Sequence, residues 1–360
     1  NNIVGLEASR LFARSEINMG VDAFRDSLYA MLKRNTFLNI KFENMLDTLG
    51  EMSRTDLYSY LKEWEQLTPL PFYSIGEPEL TKVVNKGGEE FFVLKVLVSN
   101  NSDYDGIIQM NVLQNGWWYQ PMEDPRARKK VEIAAHTSKE FVSVWEEQIR
   151  DVEINTMVSG NLPYMIRQSI GNVKQERNKI VKDTIYTLPE SSLEMPGEVI
   201  VDNEDSTLFV LSTPAVVGLL PKWLDKVEDT SFKYSGISWW RAPLQWTATT
   251  NAKYYGKYIR SAYVIKSGDG SQTATWKIPV PEAGQYELYY HVFKDDELRW
   301  NDRLQGEYHF RVAYDSEMED AYINLRKANE GWEQLGTYYF SADTVRVCLL
   351  YTSPSPRDCS

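Results

Sequence analysis

The chain has 360 residues, of which 42% are hydrophobic and 25% are charged, and its formal net charge is −12. This length exceeds what one ordinary hydrophobic core supports, so two or three globular domains are predicted. The acidic balance argues against a nucleic acid as partner, because binding to phosphates needs concentrated Lys and Arg. No run of eighteen apolar residues occurs in the sequence, so no transmembrane segment is predicted.

The first predicted domain, residues 1–68, is helical. Apolar positions recur with a 3.6-residue period in 21–34 and again in 42–49. Either Ser53 or Thr55 is expected to cap a third helix. Taken alone, this pattern indicates no more than a small helical bundle.

Residues 70–171 change to a strand pattern. Phe91–Val98 is an apolar run apart from Lys95, and Ile108, Met110 and Val112 alternate with polar residues. Strands separated by polar turns at this spacing predict a β-sandwich.

A linker and a second sandwich are predicted next. Residues 172–197 combine alternating charges with Pro, Ser and Gly, which is the composition of a linker. In residues 198–347, apolar and polar residues alternate over 286–292 and 308–314, which predicts a jelly-roll-like sandwich. The expected fold class is therefore multidomain α+β and mainly β, with a helical segment followed by two antiparallel β-sandwiches.

Both ends of the chain suggest a fragment of a longer protein. The sequence starts without an initiator Met or a signal peptide. Residues 348–360, CLLYTSPSPRDCS, resemble the translated read-through of a sequencing adapter, and we expect a metagenomic artefact rather than a Pro/Ser-rich tail. Because Cys348 and Cys359 are the only cysteines, the native part is expected to contain neither a disulfide nor a thiol nucleophile.

The sequence contains no catalytic motif. It has no HExxH, no GxSxG, no P-loop and no GxGxxG after a strand, and its three histidines are isolated. No catalytic residue and no metal ligand are therefore predicted. Two carboxylate clusters, at 202–205 and 295–297, are expected to be solvated turns; a structural Ca²⁺ site and a pair of glycosidase carboxylates are the alternatives.

Tryptophans are the more informative class, since seven of the eleven lie in residues 198–347. Flat, exposed indole rings can stack on sugar rings at low entropy cost. Trp239 and Trp240 are adjacent, so in a strand they point to opposite faces and one of them leaves the core. Most aromatic side chains of a sandwich pack inside it. Trp239, Trp240 and Trp300 are nevertheless the predicted glycan-stacking residues.

Five stretches of residues 198–347 match a known family in the family's order: Val201–Asp205, Tyr254–Gly256, Ala274–Trp276, Gly284–Tyr289 and Gly331–Phe340. They resemble the golvesin C-terminal-like domain, also called the Xly carbohydrate-binding-like domain. The resemblance implies a β-sandwich attached to exported bacterial hydrolases and surface proteins. It also implies a polysaccharide or cell-envelope glycan as partner, and an extracellular, cell-surface or periplasmic location. The insert 213–243 departs from the family, so no role of Trp239 or Trp240 is inherited from it.

A second resemblance covers residues 20–75. A segment like Phe37–Gly50, then one like Ser53–Leu57, a Trp like Trp64 and a strand like Leu70–Tyr73 occur at the end of the helical region of alanyl aminopeptidase-type gluzincin peptidases. The resemblance implies that the zinc-binding helix lies upstream. Zinc is thus expected only in a missing upstream part, and no cofactor is expected in this chain.

Two interpretations of function stay open. In the first, the chain is the non-catalytic C-terminal portion of an exported aminopeptidase-like zinc metallopeptidase and ends in a glycan- or envelope-binding sandwich. In the second, it is a non-enzymatic surface or adhesion protein with a carbohydrate-binding module. A glycosidase that uses the carboxylate clusters ranks last.

Overall fold

The computed structural model divides into two compact units, residues 1–193 and residues 194–360. The structure describes residues 2–352 apart from nine gaps: 66–68, 115–123, 179, 192, 194–196, 213–232, 235–242, 267–270 and 295–305.

Four helices are described at the start of the first unit: α1 Asn2–Met19, α2 Val21–Arg34, α3 Phe42–Ser53 and α4 Leu57–Glu65. Leu11, Leu46, Leu49 and Leu57 are buried together in a small core, and Phe24 of α2 packs against it. The expected N-terminal helical segment is confirmed. The amphipathic spacing of these leucines explains it, because one apolar face per helix is enough to build a bundle.

The cap of α4 differs from the prediction. Asp56, rather than Ser53 or Thr55, accepts hydrogen bonds at its Oδ1 from the backbone N–H groups of Tyr58 (3.1 Å) and Ser59 (3.2 Å). A carboxylate in this position satisfies two unpaired donors and also complements the helix dipole. The Ser53 hydroxyl instead donates backward to the Leu49 carbonyl at 2.7 Å, inside α3.

Ten strands are described in the rest of the first unit: β1 Tyr73–Ile75, β2 Glu79–Val84, β3 Glu90–Asn100, β4 Gly106–Gln114, β5 Arg128–Ile133, β6 Thr137–Trp145, β7 Ile149–Asn155, β8 Met165–Ser169, β9 Val173–Arg177 and β10 Thr184–Pro189. They form a six-stranded sheet in the order β10-β6-β3-β2-β9, with β1 also paired to β3, and a four-stranded sheet in the order β5-β4-β7-β8. Residues from both sheets share one buried core that includes Leu94, Val96, Ile108 and Met110. The first predicted sandwich is therefore present.

The helical segment packs onto this sandwich. Ala13 of α1 is buried with Ile107 of β4. Arg14 of α1 also forms an ion pair with Glu132 of β5. Residues 1–68 and 70–171, which were predicted as separate domains, thus lie in one compact unit.

Most of the predicted linker belongs to the six-stranded sheet. β9 pairs in parallel with β2, and β10 pairs antiparallel with β6. β9 is an edge strand, and four of its five residues are exposed. Because an exposed edge strand can consist of charged residues, its sequence has the composition of a linker. The parallel β2–β9 pair departs from the expected all-antiparallel arrangement.

Nine strands are described in the second unit: β11 Phe209–Ser212, β12 Thr247–Thr250, β13 Ser261–Val264, β14 Thr273–Pro279, β15 Gly284–Val292, β16 Glu307–Tyr314, β17 Glu317–Asn324, β18 Gly331–Phe340 and β19 Thr344–Thr352. They form a five-stranded sheet in the order β11-β14-β19-β16-β17 and two two-stranded ribbons, β12-β13 and β15-β18. All their pairings are antiparallel, and strands distant in sequence are neighbours. This order agrees with the expected jelly-roll-like sandwich.

The second core lies between the five-stranded sheet and the β15–β18 ribbon. Phe310 and Val312 of β16 are buried with Leu288 and Val292 of β15, as their alternation predicted. The domain end predicted at residue 347 falls within β19. No helix among the described residues is both long and apolar enough to cross a membrane.

Candidate functional site

The outer face of the β15–β18 ribbon carries exposed aromatic side chains. Tyr289 of β15 is 42% exposed, and Trp332 and Tyr339 of β18 are 44% and 66% exposed. Successive residues of a strand point to opposite faces, and residues paired across a ladder share a face. The outer face is therefore lined by eight residues: Gln285, Glu287, Tyr289, His291, Trp332, Gln334, Thr337 and Tyr339.

A β-bulge in β18 holds these side chains on one face. The ladder pairs Leu288 with Gly336 but the next residue, Tyr289, with Gln334, so Leu335 is an extra residue in β18. This insertion reverses the alternation of the strand. As a result Trp332 lies on the same face as Tyr339, although seven positions separate them.

Gly336 is the residue that the bulge requires. A Cβ atom built there would lie 2.7 Å from the hydroxyl of Tyr338 and 2.8 Å from its ring. Tyr338 is buried in the core, so its ring has little room to yield. A residue without a side chain therefore allows the ring to lie against the bulge.

Polar side chains lie between the aromatic rings. The Tyr289 hydroxyl donates to Glu287 Oε2 at 2.5 Å, and this hydrogen bond raises the pKa of Tyr289. The Gln334 amide donates to the Thr337 hydroxyl at 3.2 Å. The face thus combines ring surfaces with hydroxyl, amide and carboxylate groups that can donate to and accept from a polyhydroxylated ligand.

A loop packs against one end of the ribbon. The Tyr255 ring lies edge-on to Trp332, with centroids 4.8 Å apart, and the His291 ring lies 5.3 Å from Trp332. The loop depends on Gly256, where an added Cβ would lie 2.0 Å from the Ile259 carbonyl oxygen. This close approach of two backbone segments explains the glycine of the Tyr254–Gly256 stretch, since only a residue without a Cβ allows it.

Arg260 brings a positive charge to this end of the ribbon. Its Nη1 donates to the Ala252 carbonyl at 2.8 Å. Burial lowers the pKa of Arg260 to about 10. Burial, together with the Arg260 charge, lowers the pKa of His291 to about 4. At neutral pH the guanidinium is therefore charged and the neighbouring imidazole is neutral.

The 202–205 carboxylates lie elsewhere in the second unit and have protein partners. Lys233 donates to Glu204 Oε2 at 2.6 Å, and Ser261 donates to its Oε1. Burial raises the pKa of Glu204, but these hydrogen bonds outweigh it and lower the pKa. Within the part of the chain that the structure describes, no group of three His, Cys, Asp or Glu residues is arranged to hold a metal ion.

The predicted stacking residues cannot be placed. Trp239, Trp240 and Trp300 lie outside the described residues, and so does the carboxylate cluster at 295–297. Sequence reasoning did not single out Tyr289, Trp332, Tyr339 or Tyr255 as site residues. All four lie in stretches that resemble the golvesin C-terminal-like domain: Tyr255 in 254–256, Tyr289 in 284–289, and Trp332 and Tyr339 in 331–340. The resemblance therefore contained the signal.

Residues 239–354 match the family model of the Golvesin C-terminal domain. The resemblance stated from the sequence is confirmed for that range, which includes the whole β15–β18 ribbon and the Tyr255 loop.

Among solved structures, the chain is similar to a xanthan lyase from Paenibacillus, with a TM-score of 0.30 and 14% sequence identity. The similarity covers 80% of this chain and 26% of the lyase chain, so the present chain spans about a quarter of that protein's length. No curated protein matches the sequence.

Proposed function

We propose that the second unit is a glycan-binding module and that the outer face of the β15–β18 ribbon is its binding surface. The observation that carries this proposal is the line of exposed rings formed by Trp332, Tyr289 and Tyr339 on one strand-paired surface. Exposed aromatic residues with polar side chains between them suit sugars, whose rings have apolar faces and hydroxyl edges. The match of residues 239–354 to the Golvesin C-terminal domain supports the same function.

The length of the face suits an oligosaccharide. Six ladder positions separate the His291–Trp332 pair from the Gln285–Tyr339 pair. At about 3.3 Å per residue, they lie roughly 20 Å apart along the ribbon. The proposed ligand is therefore a chain of several sugars, either a polysaccharide or a cell-envelope glycan, and the proposed location is extracellular, cell-surface or periplasmic.

The parent protein is a separate part of the proposal. An exported zinc aminopeptidase-like parent stays a prediction from the resemblance of residues 20–75, and a non-enzymatic surface or adhesion protein stays the alternative. The test is the gene sequence upstream of residue 1. An HExxH motif followed by a helical Glu would support the peptidase, and an upstream region without it would refute that parent.

The binding surface is tested by alanine substitution in the full chain. Trp332→Ala, Tyr289→Ala and Tyr339→Ala are each expected to weaken retention on an immobilised cell-envelope polysaccharide by about tenfold, which corresponds to about 1.4 kcal/mol. Tyr322→Ala is the matched control, because Tyr322 is 54% exposed but lies on β17 of the other sheet. Retention unchanged in all three ribbon variants but lost in a Trp239→Ala, Trp240→Ala variant would move the site to the predicted tryptophans.

A further inference from the structure

One carboxylate supplies the charge on the outer face of the β15–β18 ribbon. Among the eight residues that line this face, Glu287 is the only Asp, Glu, Lys or Arg. Burial, together with the Arg260 charge, lowers the pKa of His291 to about 4, so its ring is neutral at neutral pH. Arg260 itself belongs to the loop between β12 and β13, and its Nη1 donates to the Ala252 carbonyl at 2.8 Å. A ligand lying along the ribbon therefore meets the negative charge of Glu287.

Glu287 is exposed and lies between the rings at the two ends of the face. It is two residues along β15 from the ladder partner of Tyr339 and four residues from the ladder partner of Trp332. At about 3.3 Å per residue, these separations are roughly 7 Å and 13 Å along the ribbon. A sugar chain that contacts both Tyr339 and Trp332 therefore passes over the Glu287 carboxylate.

The carboxylate also lies beside a stacking ring. The Tyr289 hydroxyl donates to Glu287 Oε2 at 2.5 Å, which holds the ring and the carboxylate together on one face. A carboxylate has about four acceptor sites on its two oxygens, so Glu287 can still accept hydrogen bonds from a ligand. Hydrogen bonds to a charged acceptor are roughly twice as strong as those between neutral groups. A sugar that stacks on Tyr289 can therefore donate its edge hydroxyl groups to Glu287.

The same carboxylate disfavours an acidic sugar. A uronic acid carries a carboxylate in place of a hydroxymethyl group, so at neutral pH it loses a donor and gains a negative charge. Repulsion between two such charges about 5 Å apart near a protein surface is enough to weaken binding about tenfold. The formal net charge of −12 acts in the same direction at long range. The local charge and the overall charge thus both favour a neutral ligand.

We propose that the outer face selects neutral glycan chains and that Glu287 is its specificity-determining residue. The carboxylate accepts hydrogen bonds from the hydroxyl groups of a sugar stacked on Tyr289, and it repels a uronic acid in the same place. This inference rests on the proposed glycan-binding function and specifies its ligand class.

The test compares hexasaccharides that differ only at C6 of each sugar. The β-1,4-linked hexamers of glucose and glucuronic acid, and those of mannose and mannuronic acid, are titrated into the full chain, and binding is measured by calorimetry. In at least one pair, the neutral hexamer is expected to bind about ten times more tightly than the acidic one. This preference is expected to shrink when the salt concentration rises from 50 to 500 mM, because salt screens the repulsion.

A conservative variant assigns the preference to one residue. Glu287→Gln keeps an acceptor for the Tyr289 hydroxyl but removes the charge. It is expected to bind the neutral hexamer about threefold more weakly and the acidic hexamer about threefold more tightly, so the preference disappears. Glu307→Gln is the matched control, because it changes the net charge equally at an exposed position on β16 of the other sheet. It is expected to keep the tenfold preference.

The outcomes separate this inference from the proposed function. Equal affinities within both pairs, tighter binding of an acidic hexamer, or a preference that persists in Glu287→Gln would overturn the selection of neutral glycans by Glu287. Failure of all four hexamers to bind would also overturn it. The proposed function survives these results if Trp332→Ala weakens retention on the immobilised polysaccharide. If the preference depends on Glu287 but Trp332→Ala and Tyr339→Ala have no effect on binding, the stacking surface is wrong instead.

Discussion

Tyr255 packs edge-on against Trp332, with ring centroids 4.8 Å apart and an interplanar angle of 61°. This contact joins the Tyr254–Gly256 loop to the start of β18 and fixes the indole at the end of the ribbon's outer face. Perpendicular aromatic pairs of this kind contribute about 0.5–1.5 kcal/mol beyond the area they bury. The indole is therefore held in place while nearly half of its surface stays exposed.

The first prediction concerns the loop that carries Tyr255. Gly256→Ala places a methyl group 2.0 Å from the Ile259 carbonyl oxygen, which belongs to the backbone and cannot rotate away. We expect a loss of about 1–3 kcal/mol in the free energy of unfolding, together with weaker glycan binding. Urea unfolding followed by fluorescence measures the stability change.

The matched control for this prediction is Gly284→Ala. Its added Cβ would lie 3.6 Å from Tyr286, an ordinary contact, and Gly284 starts β15 of the same ribbon. Equal stability losses in the two variants would show that the close approach at Gly256 has no special cost.

The second prediction concerns Asp202. Burial raises the pKa of this carboxyl from 3.8 to about 6, so the folded state binds its proton more tightly than the unfolded state does. The contribution of Asp202 to stability therefore falls as the pH rises from about 4 through 6, and it is restored on acidification. Asp202→Asn is expected to stabilise the protein by about 1–2 kcal/mol at pH 7.5 and to have little effect at pH 4.

Urea unfolding at the two pH values checks the Asp202 prediction. Glu282→Gln, at an exposed position before β15, is the control for removal of one negative charge. A stabilisation of the wild type by Asp202→Asn that is smaller at pH 7.5 than at pH 4 would contradict the raised pKa of Asp202.

The third prediction concerns His136 in the first unit. Its Nδ1 lies 2.7 Å from Glu190 Oε2 and its Nε2 lies 2.8 Å from Asp103 Oδ1, and these two hydrogen bonds raise its pKa above 6.5. The pairs stabilise the protonated ring, so their contribution is complete below pH 6.5 and disappears as the pH rises through the raised pKa. An NMR titration of the ring is expected to show the raised pKa and its return toward 6.5 in Glu190→Gln. A wild-type pKa at or below 6.5 would contradict the two contacts.

The fourth prediction concerns Tyr73, whose side chain is fully buried in the first core. Its hydroxyl has no hydrogen-bond partner among the described residues, and a Cβ at Gly106 would lie within 1.7 Å of it. Tyr73→Phe removes an unsatisfied buried group, so we expect it to be neutral or to stabilise by about 1 kcal/mol.

The same pair permits a rescue experiment. Gly106→Ala is expected to destabilise the wild type strongly and to be better tolerated in a Tyr73→Phe background. Equal costs of Gly106→Ala in both backgrounds would show that the hydroxyl does not cause the clash.

Periodicity predicted the elements whose apolar faces are uninterrupted. The helix over 21–34 begins and ends as expected, and the buried sides of β15 and β16 follow their alternation. β9 and β10 were missed because exposed strands at the edges of a sheet need no apolar pattern. Their pairing to β2 and β6 depends on contacts distant in sequence.

The candidate site was hidden by the bulge at Leu335. Strict alternation in β18 places Trp332 on the same face as Tyr338 and Phe340, which are core residues. Only the extra residue moves Trp332 to the outer face, and an apolar pattern does not reveal a bulge. The predicted residues Trp239, Trp240 and Trp300 were chosen by neighbouring sequence, and their role stays a prediction.

The central claim is that glycans bind the outer face of the β15–β18 ribbon. Hydroxyl-radical footprinting of the full chain, with and without a saturating cell-envelope polysaccharide, tests it most directly, since exposed aromatic and Met side chains are oxidised unless they are covered. Tyr289, Trp332 and Tyr339 are expected to become protected, while Met318 and Tyr322 of β17 are oxidised equally in both samples. Unchanged oxidation of the three ribbon residues in the bound sample would contradict it.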